Sequence, residues 1–315
     1  MRGLSRRRAD LPAAAHGPDA HGPRSFGPAR ACQPGCHAAA RRPILADPSR
    51  ERGVIYPHHQ RAIEAVTETL RRDPEVGALL LGGSIAHGFE RPESDVDLML
   101  VIGDDDYAGR LRDGRLQFLT AEGCDWPGGY AEGKCLGIGL LAEIARRGSE
   151  PARFAFQDAR VLFSRIEGLE STLAAIARYP LAEKAERIRR FRAQLEAWHW
   201  YAHEALKLGD RYLLGLAVAR TVLFGGRMIL AHNEILHPYH KWFLRVLERA
   251  PERPPELMEQ IASLYDDPSQ ANLLRFWASI TNFRTWEGAG DPWPVQFQRD
   301  SELNWLDGAP PVDDL

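Results

Sequence analysis

Residues Leu79–Ile102 read LLLGGSIAHGFERPESDVDLMLVI, and the fold turns on this stretch. Leu79-Leu80-Leu81 is a short apolar run, the mark of a buried strand, and it ends in Gly82-Gly83-Ser84. Glycines lack the Cβ that would keep a ligand away from the backbone. Ser84 then opens a short helix whose unpaired N–H groups and hydroxyl favour an anionic phosphate. After ten intervening residues, Asp95 and Asp97 open a second apolar run, Leu98–Ile102. Side chains two apart on a strand share a face, so both carboxylates point one way while Val96 enters the core. Parallel carboxylates repel unless a cation lies between them, and a hard oxygen-only pair suits Mg²⁺ better than zinc. A phosphate site and a metal site thus meet in one place.

Either element alone is common: Gly-Gly-Ser is an ordinary turn, and Asp-x-Asp is often a solvated strand end or helix cap. In this order and spacing they resemble the signature of the nucleotidyltransferase superfamily, which includes DNA polymerase β and the kanamycin-type aminoglycoside nucleotidyltransferases. Gly83, Ser84, Gly88, Ser94, Asp95, Asp97 and Leu98 fall on positions that the motif specifies, and the motif covers little beyond Gly82–Leu98. The resemblance implies an α+β protein in which a catalytic domain, a small mixed sheet with flanking helices, precedes a C-terminal helical bundle. It further implies Asp95 and Asp97 as catalytic metal ligands for two Mg²⁺ ions, and Gly83 and Ser84 as nucleotide-binding contacts to the phosphates of ATP or another nucleoside triphosphate. Enzymes of the family transfer a nucleoside monophosphate and release pyrophosphate. Metal ions serve that chemistry by neutralising the attacking and leaving oxygens without a covalent protein intermediate.

Many relatives complete the site with a third carboxylate on a following strand, sought here in Gly129–Gly139. From the resemblance, an acid is expected near Gly137 or Gly139, just before a helix over Leu140–Arg147, yet both positions are glycine. Glu132 lies on the same predicted strand with parity opposite to Gly137. It faces the site only if a bulge or a different register turns it, and it is the candidate third catalytic acid. Glu196, Glu204 and Glu234 in the helical half, and Asp158 ahead of a strand over Arg160–Phe163, are alternatives that no spacing singles out. With no third acid, the chain would be a catalytically weakened nucleotide-binding or antitoxin-like interaction protein.

From Leu181 the apolar period becomes helical. Leu181–Leu206, Tyr212–His232, Glu256–Tyr265 and Ser269–Arg284 read as helices punctuated by Pro238, Pro251, Pro254 and Pro255. Upstream, Ile63, Val66 and Leu70 mark an amphipathic helix over Tyr56–Arg72, and Gln117–Leu119 and Tyr130–Leu136 read as weaker strands. In Asn233–Trp242, Lys241 sits beside Tyr239 and Trp242, so a lysine could reach a triphosphate while rings stack on a base; Lys241 is therefore a candidate nucleotide-binding residue. The plainer alternative is a helix start with Pro238 in its first turn. Trp198, His199, Trp200, Tyr201 and His203 cannot all enter one pocket at helical spacing and read mainly as packing.

A chain of 315 residues with 44% hydrophobic content supports two modest cores. Residues 1–50 hold nine arginines and three aspartates with no apolar period, which predicts a disordered basic tail over residues 1–52. A transit peptide is disfavoured by the Pro and Gly content. Cys32, Cys36 and His37 match no standard zinc finger, and Cys124 and Cys135 support no disulfide framework. A catalytic domain is expected over residues 53–165 and a helical substrate-side domain over 166–310. The net charge of −3 leaves no nucleic-acid footprint. Without a secretory apolar region or a long apolar span, no membrane partner is expected and the location is read as cytoplasmic. The expected partners are a nucleoside triphosphate and an acceptor hydroxyl on a small, aminoglycoside-like molecule or a protein, with AMP from ATP as the transferred group. Oligomeric state is left open.

Overall fold

The apolar stripe at Ile63 and Val66 needs a surface to cover, and the sheet behind it supplies one. In the computed structural model, which describes residues 55–286, 291–306 and 308, this stripe belongs to α1 (Pro57–Arg71). The proline sits in the first turn, where its missing N–H breaks no intrahelical bond. The sheet has five strands, β1 (Val76–Leu81), β2 (Val96–Ile102), β3 (Gln117–Thr120), β4 (Ala131–Gly137) and β5 (Arg160–Ser164), in the order β3-β4-β2-β1-β5. β2 runs antiparallel to β1 but parallel to β4, while β1–β5 and β3–β4 are antiparallel, so the sheet is mixed. A parallel pair cannot be closed by a hairpin. The return from β2 to β4 passes through α3 (Asp104–Arg112) and β3.

Alternation along β2 sends Val96, Leu98, Leu100 and Ile102 to the face that α1 covers. Val101 goes to the other face, where Leu141 of α4 (Ile138–Arg147) and Leu173 and Ile176 of α6 (Leu169–Ile176) pack on Ala78 and Leu80. Asp97 shares the parity of Val101 but stands at the opposite end of the strand. That end meets α2 (Gly83–Ala86), α5 (Glu150–Phe154) and the helical half of the chain.

The helical half is led by α7 (Lys184–Leu208) and α8 (Arg211–His232). Gly209, with φ of +67°, ends α7 in the left-handed region, and Asp210 caps α8 by accepting from the Leu213 N–H at 3.0 Å. With α9 (Phe243–Glu248), α10 (Leu257–Asp266) and α11 (Gln270–Thr281) they bury a core that includes Leu195, Val222, Ile229 and Phe276. A last short helix, α12 (Trp293–Phe297), returns to α7. Phe89 and Phe154 from the sheet-bearing half belong to this same core.

The expected α+β architecture is present. α3 went unread because none of its residues is buried, so it has no apolar period. Its helix is favoured instead by Asp104, Asp105 and Asp106 in the first turn and Arg110 and Arg112 in the last, each complementing the helix dipole. Contrary to the expectation of no long apolar span, α8 is long and apolar enough to cross a membrane by length and composition. Half of that span is buried inside the protein, where Val218, Val222, Ile229 and Leu230 fill the helical core. The tail readings for residues 1–52, including Cys32, Cys36 and His37, lie outside the described residues.

One buried carboxylate joins α5 to the helical half. Glu150, 2% exposed, accepts from Arg187 of α7 at 2.6 Å, from Arg227 of α8 at 3.0 Å, and from the His237 backbone N–H at 2.9 Å. Removing one partner of such a buried pair costs about 3–5 kcal/mol, because the other charge is left unpaired. The His237 ring is buried alongside. Burial first, then the charges of Arg227 and His240, hold its pKa down at about 3. On α7, burial and then His203 lower His199 to about 4.

Both folded values lie below that of the unfolded chain, so the unfolded state binds more protons between these values and about pH 6.5, and stability is lost as pH falls through that window. Each group contributes a slope of up to about 1.4 kcal/mol per pH unit there. Urea unfolding between pH 7 and pH 4.5 should show this loss, with a shallower dependence in His237→Gln; a flat profile would contradict neutral burial of the ring.

Candidate active site

The site begins where β1 ends. The Gly82 N–H donates to the Asp97 carbonyl at 2.9 Å, joining the tip of β1 to the start of β2. Gly83 has φ of +61°, and a Cβ built there would stand 1.7 Å from Asp97 Oδ2. Conformation and space therefore both demand glycine. The chain enters α2 so tightly against β2 that the Ser84 N–H donates to the Asp97 carboxylate. Ser84 Oγ is buried and has no hydrogen-bond partner among the described residues. A buried hydroxyl without a partner costs free energy that a phosphate oxygen at this point would recover.

Glu132 arrives by register. The parallel β2–β4 pairing sets Asp97 directly beside Glu132, with both side chains on one face. Asp95, Asp97 and Glu132 place carboxylate oxygens within 4.8 Å of one another, all three side chains half-buried. No bulge is needed. Gly137 and Gly139, where the resemblance implies an acid, lie at the far end of the strand from Asp97, Gly137 pairing with Ile102. Glycine has its own reason there. The Gly139 N–H donates to Asp104 Oδ1 at 2.8 Å, and a Cβ on Gly137 would lie 2.6 Å from the same oxygen.

This grouping has an electrostatic cost. Burial first, then repulsion from Asp95 and Glu132, pushes the Asp97 carboxyl above its usual value, while Lys241 and the Ser84 N–H pull the other way. The Tyr130 hydroxyl donates to Asp95. An all-oxygen set of crowded carboxylates fits a hard divalent cation. Such an ion would be held by Asp95, Asp97 and Glu132.

The other candidate bases lie in other interactions. Asp158 contacts His87 Nδ1 at 2.9 Å, Glu196 accepts from Trp277 Nε1 at 2.8 Å, Glu204 pairs with Lys207 at 2.6 Å, and Glu234 pairs with Lys184 at 2.8 Å. Of the aromatic cluster on α7, His199 stacks on Trp277 and Trp198 packs with Tyr201. Cys124 and Cys135 are free thiols. Three residues beside the carboxylates went unread in the sequence: His87, Arg91 and Arg245. His87 is buried against Phe154, ring centroids 4.5 Å apart, with Nε2 unpartnered among the described residues. It follows Ser84 by three residues, the one signal that could have drawn attention to it. Arg91 and Arg245 meet only through the fold.

Two cavities meet at the carboxylates. The larger, about 640 Å³, includes Asp97 and Glu132 in its walls together with Phe154, Tyr239 and Trp242. The smaller, about 370 Å³, includes Ser84 and Asp95 with Arg91 and Arg245. Lys241 and Trp242 line both. Lys241 Nζ lies 5.3 Å from the Trp242 ring centroid. Burial first, then the charge of Arg91, lowers the pKa of Arg245. The smaller cavity thus brings Arg91, Lys241 and Arg245 together, with Glu93 and Asp95 also in its wall, and an anion there would relieve the repulsion between the two arginines.

No protein-family model matches the chain, and no curated protein matches it. Among solved structures, it is similar to a nucleotidyltransferase-like protein from Exiguobacterium sibiricum 255-15, at 10% identity over 79% of each chain with a TM-score of 0.43.

Because the Asp97 charge is disfavoured in the folded state, Asp97→Asn without metal should melt at or above the wild-type temperature. Mg²⁺ should raise the wild-type melting temperature only, adding about 2.7 kcal/mol at a hundred times its dissociation constant. Thermal scans with and without Mg²⁺ check this, and equal responses in the two proteins would contradict the metal assignment.

Proposed function

We propose that the protein is a Mg²⁺-dependent nucleotidyltransferase that moves a nucleoside monophosphate, AMP from ATP, onto an acceptor hydroxyl and releases pyrophosphate. The observation that carries this reading is the Asp95–Asp97–Glu132 cluster beside the Gly82–Ser84 turn. The order of these elements resembles the nucleotidyltransferase signature, and the geometry supplies the parts that phosphoryl transfer requires. Mg²⁺ held by the carboxylates would neutralise charge on the phosphoryl oxygens. The Ser84 hydroxyl and the backbone at Gly83 hold the phosphate chain, a role the side-chain-free turn and the orphaned Oγ suit.

The two cavities divide the remaining work. Arg91, Lys241 and Arg245 line the smaller one and receive the β- and γ-phosphates, the leaving group. In an in-line displacement the attacking oxygen approaches opposite the leaving oxygen, which assigns the acceptor to the larger cavity. Glu132 lines that cavity and takes the acceptor's proton. The bond from the acceptor oxygen to the α-phosphorus forms as the bond to the bridging oxygen breaks. The acceptor belongs to a small molecule or a protein, and the supply of ATP and Mg²⁺ fits a cytoplasmic site of action.

A nucleotide-binding, antitoxin-like protein without turnover draws its support from the acid missing near Gly137. Glu132 beside Asp97 weakens that support.

Pyrophosphate release from ATP and Mg²⁺ over a panel of hydroxyl acceptors tests the reading. Asp95→Asn should abolish release, and Glu132→Gln should lower turnover by about 10²–10⁴, the usual worth of a positioned general base. Wild-type turnover in Glu132→Gln would remove the base from β4.

A further inference from the structure

We infer that the acceptor is a neutral hydroxyl compound with an apolar body rather than a polycationic aminosugar; this rests on the transferase reading above. The first ground is charge. Among the described residues lining the larger cavity, the carboxylates are Asp97 and Glu132 and the lysines are Lys134 and Lys241. On the transferase reading Asp97 would hold the metal, and Glu132 would divide its two oxygens between the metal and the reacting hydroxyl, which leaves no carboxylate over for an ammonium group. An aminosugar carries several ammonium groups, and each would enter this cavity without a counter-charge and facing two lysines, an arrangement that costs affinity.

The second ground is the wall around the proposed base. β3 is the edge strand, and its Leu119 pairs in register with Glu132, so the two side chains stand side by side on the cavity face. Leu119 is 71% exposed. Leu136 of β4 and Ile144 of α4, both half-buried, continue the aliphatic surface. A single exposed leucine needs no explanation, but a mainly aliphatic and aromatic wall, interrupted at Gln117 and Lys134, beside a reactive carboxylate marks a ligand surface. The rings of Phe154, Tyr239 and Trp242 come from α5 and the segment before α9 and offer a stacking surface for a nucleobase. That leaves the aliphatic wall for the group whose hydroxyl reaches Glu132. An apolar body there would cover Leu119 while its hydroxyl lies against the carboxylate.

The test uses the full chain saturated with Mg²⁺ and α,β-methylene-ATP, which occupies the nucleotide site without turnover. Calorimetry then follows 4-methyl-, 4-ethyl-, 4-propyl- and 4-butylphenol, with kanamycin as the cationic comparison. Phenol affinity should rise roughly fourfold per methylene, kanamycin should not bind, and Leu119→Ser, at an exposed position, should weaken 4-butylphenol by about tenfold. Kanamycin binding more tightly than 4-butylphenol would overturn the proposal. So would phenols that do not bind, whose affinity ignores chain length, or whose binding ignores Leu119→Ser. The ATP analogue separates the two levels: failure of its own Mg²⁺-dependent binding refutes the transferase reading, whereas its binding with the wrong acceptor profile refutes the acceptor class alone.

Discussion

Three carboxylates with oxygens within 4.8 Å of one another repel, and the fold is arranged to hold them there. The parallel register of β2 and β4 is the constraint on which this depends, because it sets Asp97 beside Glu132. A shift of one residue would turn Glu132 into the α1-side core and leave a two-acid site. The Gly82–Ser84 turn is fitted to the same point. Gly83 gives up its side chain so that the Asp97 carboxylate can stand where a Cβ would be. Burial first, then repulsion from Asp95 and Glu132, holds the Asp97 carboxyl above its usual value. A site built at such cost, with an orphaned Ser84 hydroxyl next to it, is organised for a cation and an anion together.

The helical half completes the site rather than merely standing beside it. Lys241 and Trp242 line both the smaller cavity and the larger one, and both come from the segment that precedes α9. That segment is tied down through Glu150, which accepts from the His237 backbone and from two arginines on α7 and α8. Phe89, just after α2, sits in the helical core and accepts an Arg245 hydrogen bond at its carbonyl at 3.3 Å. Chain segments from both halves therefore set the position of each cationic group relative to the carboxylates.

What could be read from the sequence follows the range of each interaction. β1, α2 and β2 were legible because turn chemistry, strand alternation and the apolar runs act over a few residues. The helices α7, α8, α10 and α11 were legible from their apolar period. Glu132 was harder, since a parallel register is set by the length and path of the β2–β4 connection, including α3, which carries no apolar signal. Gly137 lies five residues further along β4, opposite Ile102, so its parity says nothing of which residue stands beside Asp97. Arg91 and Arg245 were out of reach: they lie on separate segments and meet only in the folded chain.

The central claim is that Asp95, Asp97 and Glu132 jointly hold the divalent cation that serves nucleotide transfer. Crystals grown with Mn²⁺ and α,β-methylene-ATP, measured at a wavelength where manganese scatters anomalously, test it most directly. The account predicts anomalous peaks bridged by these three carboxylates, with the phosphates running past Ser84 toward Arg91 and Arg245. Manganese bound elsewhere, or a triphosphate seated away from the Gly82–Ser84 turn, would contradict it.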